Sequence, residues 1–198
     1  MIQVVNRLKQ KVNILSNNLL PVLKLDISLF LNDIIGINYC ITKYDTPYYN
    51  SKFPHEYTIG KDLDLLVHKD DFLSLIAIVC KHFEKQMKYF YKNKVIKDDN
   101  SIIIRIERFG ILHYQIDISD KVKRVSKNCV NKMLNTRVKE KTFFIPQVKY
   151  ELIIRLIEFL DNPYKKHHLE YIKKNKDYID FELLRAENLL ESYNQLFK

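Results

Sequence analysis

The distribution of apolar residues along this chain predicts both helices and strands. Spacings of three and four residues indicate amphipathic helices, and alternation of apolar and polar residues indicates strands. The predicted helices cover residues 2–19, 27–35, 72–87, 148–159 and 178–197. The predicted strands cover residues 37–44, 62–67, 95–96, 102–108 and 111–119, with a hairpin turn at 109–110. We therefore expect an α+β fold in which helices flank a mixed β-sheet.

Pro146 separates a strand-rich part of the chain from a purely helical part. We predict a catalytic domain over residues 1–145, of which residues 1–36 are helical, and a helical region over residues 146–198. The helical region begins with an apolar face that needs a partner, so we expect it to pack on the rest of the chain. The residues of that face are Val148, Leu152, Leu156 and Phe159.

Carboxylates stand on the polar faces of two predicted strands. Because side chains alternate in a strand, Asp62 and Asp64 share one face, where their like charges repel unless a cation lies between them. A solvated acidic strand edge is the alternative interpretation of this pair. Asp117 adds a third carboxylate on the polar face of the strand at 111–119. Three carboxylates on two neighbouring strands are suited to bind two divalent cations such as Mg²⁺ or Mn²⁺ and to support in-line phosphoryl or nucleotidyl transfer.

The acidic pattern resembles the nucleotidyltransferase superfamily with the polymerase-beta-like fold. The signature of that superfamily is Asp-hydrophobic-Asp on a strand after a glycine-bearing turn, followed by a third Asp on a later strand. Gly60, Asp62, Asp64 and Asp117 match these positions. The surroundings are similar to uncharacterised bacterial nucleotidyltransferase-like proteins that have an aromatic and basic strand before the motif, here residues 39–44. The resemblance implies catalytic and metal-binding roles for the three aspartates.

The chain departs from the superfamily at the phosphate-binding position. Most members have a Gly-Ser or Gly-Gly pair at a helix start upstream of the acidic pair, and this chain has no such pair. We therefore expect the nucleotide to be bound by Thr42, Lys43, Lys61 and the backbone near Gly60. The resemblance as a whole covers roughly residues 25–120.

The resemblance implies a magnesium-dependent nucleotidyltransferase. It would move a nucleoside monophosphate from an NTP to an acceptor hydroxyl or phosphate and release pyrophosphate. A small molecule or a glycan-linked group is the favoured acceptor, with an RNA end or a protein hydroxyl as alternatives. A non-catalytic, antitoxin-like binding module on the same fold is a hypothesis of another class. The missing Gly-Ser pair favours the module, and the intact set of three aspartates disfavours it.

The composition of the chain gives expectations about its partners and its cellular location. Lys and Arg number 33 against 24 Asp and Glu, a net charge of +9 that suits anionic partners such as nucleotides or nucleic acid. The three cysteines are far apart in the sequence, which indicates buried, reduced thiols and a cytoplasmic location. The chain shows neither a signal-peptide core nor an apolar stretch of membrane-spanning length, so we expect no membrane span.

Overall fold

The computed structural model describes residues 26–44, 52–57, 60–86, 91–98 and 101–197. Within these residues the strands are β1 (Tyr39–Thr42), β2 (Lys61–Val67), β3 (Tyr91–Asp98), β4 (Ser101–Arg108), β5 (Ile111–Ser119), β6 (Val138–Glu140) and β7 (Phe143–Ile145). The helices are α1 (Ser28–Asp33), α2 (Phe72–Gln86), α3 (Lys127–Asn135), α4 (Val148–Asp161), α5 (Lys166–Lys174), α6 (Phe181–Ala186) and α7 (Leu190–Leu196). The predicted helix at 2–19 lies outside the described residues.

Five strands form one mixed sheet in the order β1-β2-β5-β4-β3. β2 and β5 run parallel, and every other neighbouring pair in this sheet is antiparallel. The hairpin between β4 and β5 turns at Phe109 and Gly110, whose φ angles of 51° and 70° suit a two-residue turn. The predicted α+β class with a mixed sheet and flanking helices is confirmed. None of the helices in the described ranges is long and apolar enough to cross a bilayer.

One face of the sheet packs against α1 and α2. The alternation of β2 sends Leu63 and Leu65 to this face, where they meet Phe30 from α1 and Val79 and Phe83 from α2. These side chains are nearly or fully buried, so this face forms the first hydrophobic core.

The other face of the sheet packs, near β1 and β2, against the helices that follow β5. Cys40 and Leu66 belong to the same buried cluster as Met133 of α3, Ile153 of α4 and Leu184 of α6. This second core joins the part of the chain before Pro146 to the helices after it. The carboxylates of β2 point to this same face, so the helices lie beside the acidic positions.

Several elements differ from the expectation. The predicted helix at 178–197 is two helices, α6 and α7, separated at Asn188, whose φ is 57°. Helix α3 and the β6–β7 hairpin lie between residues 127 and 145, where the residue pattern predicted neither. Strand β3 covers Tyr91–Asp98 instead of 95–96 because its pairing with β4 holds it, although its polar residues show no alternation.

The second core gives a prediction about cooperativity. Leu66→Ala should lower the free energy of unfolding by about 2–5 kcal/mol, because it leaves a cavity between the sheet and the helices. Urea unfolding followed by circular dichroism and by tyrosine fluorescence should give one shared transition for both proteins. Leu73→Ala, at an exposed position of α2, is the control and should change stability by less than about 0.5 kcal/mol. Two separate transitions would show that the sheet and the helices unfold independently.

Candidate active site

The pairing of β2 with β5 brings the predicted acidic residues together. Asp64 lies opposite Asp117 in the parallel register, and Asp62 lies opposite Gln115. Neighbouring strands are about 4.8 Å apart, so the Asp64 and Asp117 side chains leave the sheet side by side. Asp62 stands two residues before Asp64 on the same strand face. The three predicted carboxylates therefore share one patch of the sheet.

A cleft of about 160 Å³ opens over Asp64 and Asp117, and Asp62 lies outside its lining. Its floor is the sheet, and its wall comes from α4 and from the segment after β5. The polar side chains that line it belong to Thr42, Lys43, Asp64, Asp117, Ser119, Lys121, Lys123 and Glu158. Glu158 comes from α4, so the helical region contributes a charged group to the cleft.

Asp117 is a partly buried carboxylate with an unused acceptor. Its Oδ2 accepts a hydrogen bond from Gln115 Nε2 at 3.2 Å, and Gln115 Oε1 accepts one from Arg105 Nε at 3.0 Å. Its Oδ1 is buried without a hydrogen-bond partner among the described residues. Burial, together with the charges of Asp64 and Asp62, raises the pKa of Asp117 to about 6.

Asp62 lies at the outer edge of the patch and is more exposed than Asp64 and Asp117. Burial and the neighbouring Asp64 charge raise its pKa, while the positive charges of Lys43, Lys165 and Lys61 oppose the rise. Lys165 precedes α5 and is distant in sequence from the acidic strand. Its positive charge nevertheless acts on Asp62, so the turn between α4 and α5 contributes to the electrostatics of the acidic strand.

Lys43 is the cation that the fold itself supplies to the site. Its Nζ lies 2.9 Å from Asp64 Oδ1 and 3.4 Å from Glu158 Oε1. Burial disfavours the charge of Lys43, but the Asp64 and Glu158 carboxylates outweigh burial and raise the pKa of the ammonium. The backbone at Lys43 has a φ of 58°, a left-handed conformation at the residue where β1 has just ended.

A buried polar network supports the helix that carries Glu158. Arg155 Nε donates to Glu151 Oε1 at 2.7 Å, and Arg155 Nη1 lies 3.2 Å from His168 Nδ1. All three side chains are buried, and the network connects α4 to α5. Burial, then the charges of His167 and Arg155, lower the pKa of His168 to about 3, so it is neutral at pH 7.

The predicted nucleotide-binding residues lie around the same patch. Thr42 is buried opposite Asp64 in the β1–β2 register and lines the cleft. Lys61 begins β2, and its charge acts on Asp62. Gly60 has a φ of 77°, and its N–H donates to the carbonyl of His113. A role for these residues in nucleotide binding stays a prediction.

Two histidines of the described chain are buried beside polar partners. His113 is 1% exposed, and its Nδ1 lies 3.2 Å from the Tyr91 hydroxyl. His168 is 2% exposed and packs against Arg155, so it does not stand on a solvated face. The partners of these histidines come from other elements of the fold, so no local sequence pattern indicates their burial.

A comparison of the sequence with models of known protein families finds no match, and neither does a comparison with curated proteins. The geometry of the cleft and the chemistry of its side chains are therefore the basis for assigning a function.

The raised pKa of Asp117 predicts a pH-dependent stability. The folded-state pKa of about 6 exceeds the ordinary value of 3.8, so between these values the folded protein binds more protons than the unfolded chain. The free energy of unfolding should therefore fall as pH rises from about 4 to about 6, because the folded protein must give up the proton of Asp117. Above this range the Asp117 titration should lower the free energy of unfolding no further. At pH 7.5, Asp117→Asn should exceed the parent in stability by on the order of 1–3 kcal/mol.

The measurement is urea unfolding of both proteins in EDTA at pH 7.5 and at pH 4. The advantage of the Asn variant should shrink at pH 4, because most of Asp117 is then protonated in the folded parent. An advantage of equal size at both pH values would contradict the shifted titration.

Proposed function

We propose that this protein is a nucleotidyltransferase that uses a divalent cation. The reaction would transfer a nucleoside monophosphate from an NTP to an acceptor oxygen and release pyrophosphate. The observation that carries the proposal is the register of Asp64 with Asp117 on adjacent parallel strands, with Asp62 on the same face. Carboxylates at these positions are what the sequence resemblance requires.

The donor set fits a hard divalent cation such as Mg²⁺ or Mn²⁺. Oxygen ligands are the preferred ligands of these ions, and Asp117 Oδ1 is a buried oxygen without a hydrogen-bond partner in the described part of the chain. Burial and the neighbouring carboxylates raise the pKa values of Asp62 and Asp117, and a bound cation would favour their charged forms. Asp62, Asp64 and Asp117 would hold it, and when bound it would neutralise charge on the transferring phosphate.

Lys43 competes with a cation for Asp64. As the side chains lie, no group of three or more His, Cys, Asp or Glu in the described ranges is arranged to hold a metal ion. The Asp64 oxygen is bound to the Lys43 ammonium instead. Cation binding at this face therefore requires Lys43 to release Asp64, which would free the ammonium to contact the phosphates of an NTP.

The chain's own residues supply the remaining functions. Lys43, Lys61 and Lys165 surround the amino half of β2 and would orient the triphosphate by charge. Asp117 is a carboxylate whose Oδ1 has no hydrogen-bond partner among the described residues, so it can accept the proton of an acceptor hydroxyl. Gln115 holds one oxygen of Asp117 and leaves the other available.

A non-catalytic binding module remains the second candidate, and the Lys43–Asp64 ion pair favours it. In that case the lysine would permanently replace the cation, and the cleft would bind a partner without turnover. Release of pyrophosphate from an NTP separates the two functions.

Asp62→Asn/Asp64→Asn should weaken binding of Mn²⁺–ATP by at least about tenfold, because both substitutions remove anionic metal ligands. Isothermal titration calorimetry and the electron paramagnetic resonance of bound Mn²⁺ measure this directly. Asp177→Asn, at an exposed carboxylate, is the matched control and should bind as the parent does. Equal affinity of the double variant and the parent would remove the acidic pair from the cation site.

Asp117→Asn should abolish pyrophosphate release while leaving ATP affinity within about tenfold of the parent, because a proton acceptor acts mainly in the transition state. Pyrophosphate release and ATP binding are measured on the same protein with Mg²⁺. A variant that releases pyrophosphate at the parent rate would exclude Asp117 as the base. A parent that binds ATP without any release would support the binding module.

A further inference from the structure

A second cleft, of about 590 Å³, lies where the parallel strands β2 and β5 both end. One wall is the segment 67–70 that follows β2, and the opposite wall is the segment 120–125 that follows β5. Helix α3 closes the third side. We call this space the basic cleft. The carboxyl ends of adjacent parallel strands are a common location for ligands, because the loops that leave them form a crevice.

The lining of the basic cleft is strongly cationic. It holds five Lys or Arg side chains against two Asp. Lys123 and Arg124 are paired with Asp161, which attaches the 120–125 segment to the end of α4. Lys69, Lys121 and Lys127 are exposed, and no described carboxylate lies within salt-bridge distance of them. These three ammonium groups are available to an anion from outside the protein.

Two further features specify the ligand. The amino end of α3 is already capped, because Ser126 Oγ accepts a hydrogen bond from the Cys129 N–H, and the Glu187 carboxylate accepts from the Ser126 N–H and hydroxyl. The lysine side chains are therefore the cationic groups that can contact a ligand. Asp120 Oδ1 faces no hydrogen-bond donor among the described residues although it is buried. A ligand that carries a phosphate for the lysines and a hydroxyl for Asp120 would satisfy both requirements.

The basic cleft adjoins the cleft that is lined by Asp64 and Asp117. Lys121, Val122 and Lys123 line both, so a molecule in the basic cleft lies beside the segment that also borders Asp117. The other lysines of the site, Lys43 and Lys61, are at the amino half of β2. The two groups of cations therefore lie toward opposite ends of β2, with the carboxylates between them.

The geometry of in-line transfer indicates which substrate each group of cations would bind. The attacking and leaving oxygens stand on opposite sides of the transferring phosphorus. If the leaving pyrophosphate lies on the side of Lys43, Lys61 and Lys165, the acceptor enters from the carboxyl end of β2. That is the side on which the basic cleft opens.

We infer that the basic cleft binds a phosphate-bearing acceptor, with Lys69 and Lys127 on its phosphate. This inference rests on the proposed nucleotidyl transfer. A hydroxyl oxygen of the acceptor attacks the α-phosphorus of the NTP and forms the new P–O bond. The bond from that phosphorus to the bridging oxygen breaks, pyrophosphate leaves with the electron pair, and the hydroxyl proton passes to Asp117.

The test uses the full chain and ribose 5-phosphate as the probe. Lys69→Glu/Lys127→Glu should weaken its binding by about tenfold or more in low salt, because two attractive charges become repulsive. The loss should shrink in high salt, where exposed charges are screened. Lys94→Glu/Lys139→Glu, at two exposed lysines away from the cleft, makes the same change of net charge and should bind the probe as the parent does.

A second arm identifies the source of the phosphate. A 5′-phosphorylated oligoribonucleotide that binds more tightly than ribose 5-phosphate, and loses that affinity with Lys69 and Lys127 reversed, identifies a nucleic acid end. Weaker binding of the oligonucleotide, with ribose 5-phosphate still dependent on both lysines, identifies a small phosphorylated molecule. Either result supports the phosphate site.

Three results would overturn the inference. They are unchanged probe binding by Lys69→Glu/Lys127→Glu, an equal loss in the control, and displacement of ribose 5-phosphate by Mg²⁺–ATP. Failure of the proposed function has a different signature. The parent would then fail to bind Mg²⁺–ATP, or Asp62→Asn/Asp64→Asn would bind it normally, while ribose 5-phosphate still depended on Lys69 and Lys127.

Discussion

The parallel pairing of β2 with β5 is the constraint on which the charged site depends. It sets Asp64 beside Asp117 at the spacing of neighbouring strands and leaves Asp62 on the same face. Burial and the repulsion between like charges at this separation both disfavour ionisation, and together they raise the pKa values of Asp117 and Asp62. A sheet held on its other face by a continuous apolar core can sustain this cost, because the register cannot slip without exposing that core.

The cost is partly offset by a cation whose position depends on the helical region. Lys43 leaves β1 in a left-handed conformation and lies between Asp64 of the sheet and Glu158 of α4. Glu158 is held in turn by a helix whose buried Arg155 bonds to Glu151 and contacts His168 of α5. The second hydrophobic core and this polar network hold the same helix, α4. The charge environment of the cleft therefore depends on how the carboxyl-terminal helices pack.

The sequence predicted the parts of this site that depend on local periodicity. Alternation in β2 and β5 is a property of single strands, so the faces of Asp62, Asp64 and Asp117 followed from it. The contributions of Glu158 and Lys165 to the charged site depend on how α4 and α5 pack on the sheet, and the spacing of residues in the sequence does not predict that packing. The same limit applies to β3, whose polar residues are held by pairing with β4, and to the break at Asn188, where the apolar pattern continues but the backbone does not.

The positions of the lysines are more informative about ligand binding than the net charge of +9. Lys43 is compensated by Asp64 and Glu158, and the fields of Lys61 and Lys165 act on Asp62, so these cations belong to the acidic patch and balance its charge. Lys69 and Lys127, which line the cleft at the other end of β2, have no such carboxylate among the described residues. Uncompensated cations around a cleft raise the local concentration of anions there. The lysines near the acidic patch are neutralised by carboxylates, whereas Lys69 and Lys127 are not. This difference is the physical reason to assign different ligands to the two groups of lysines.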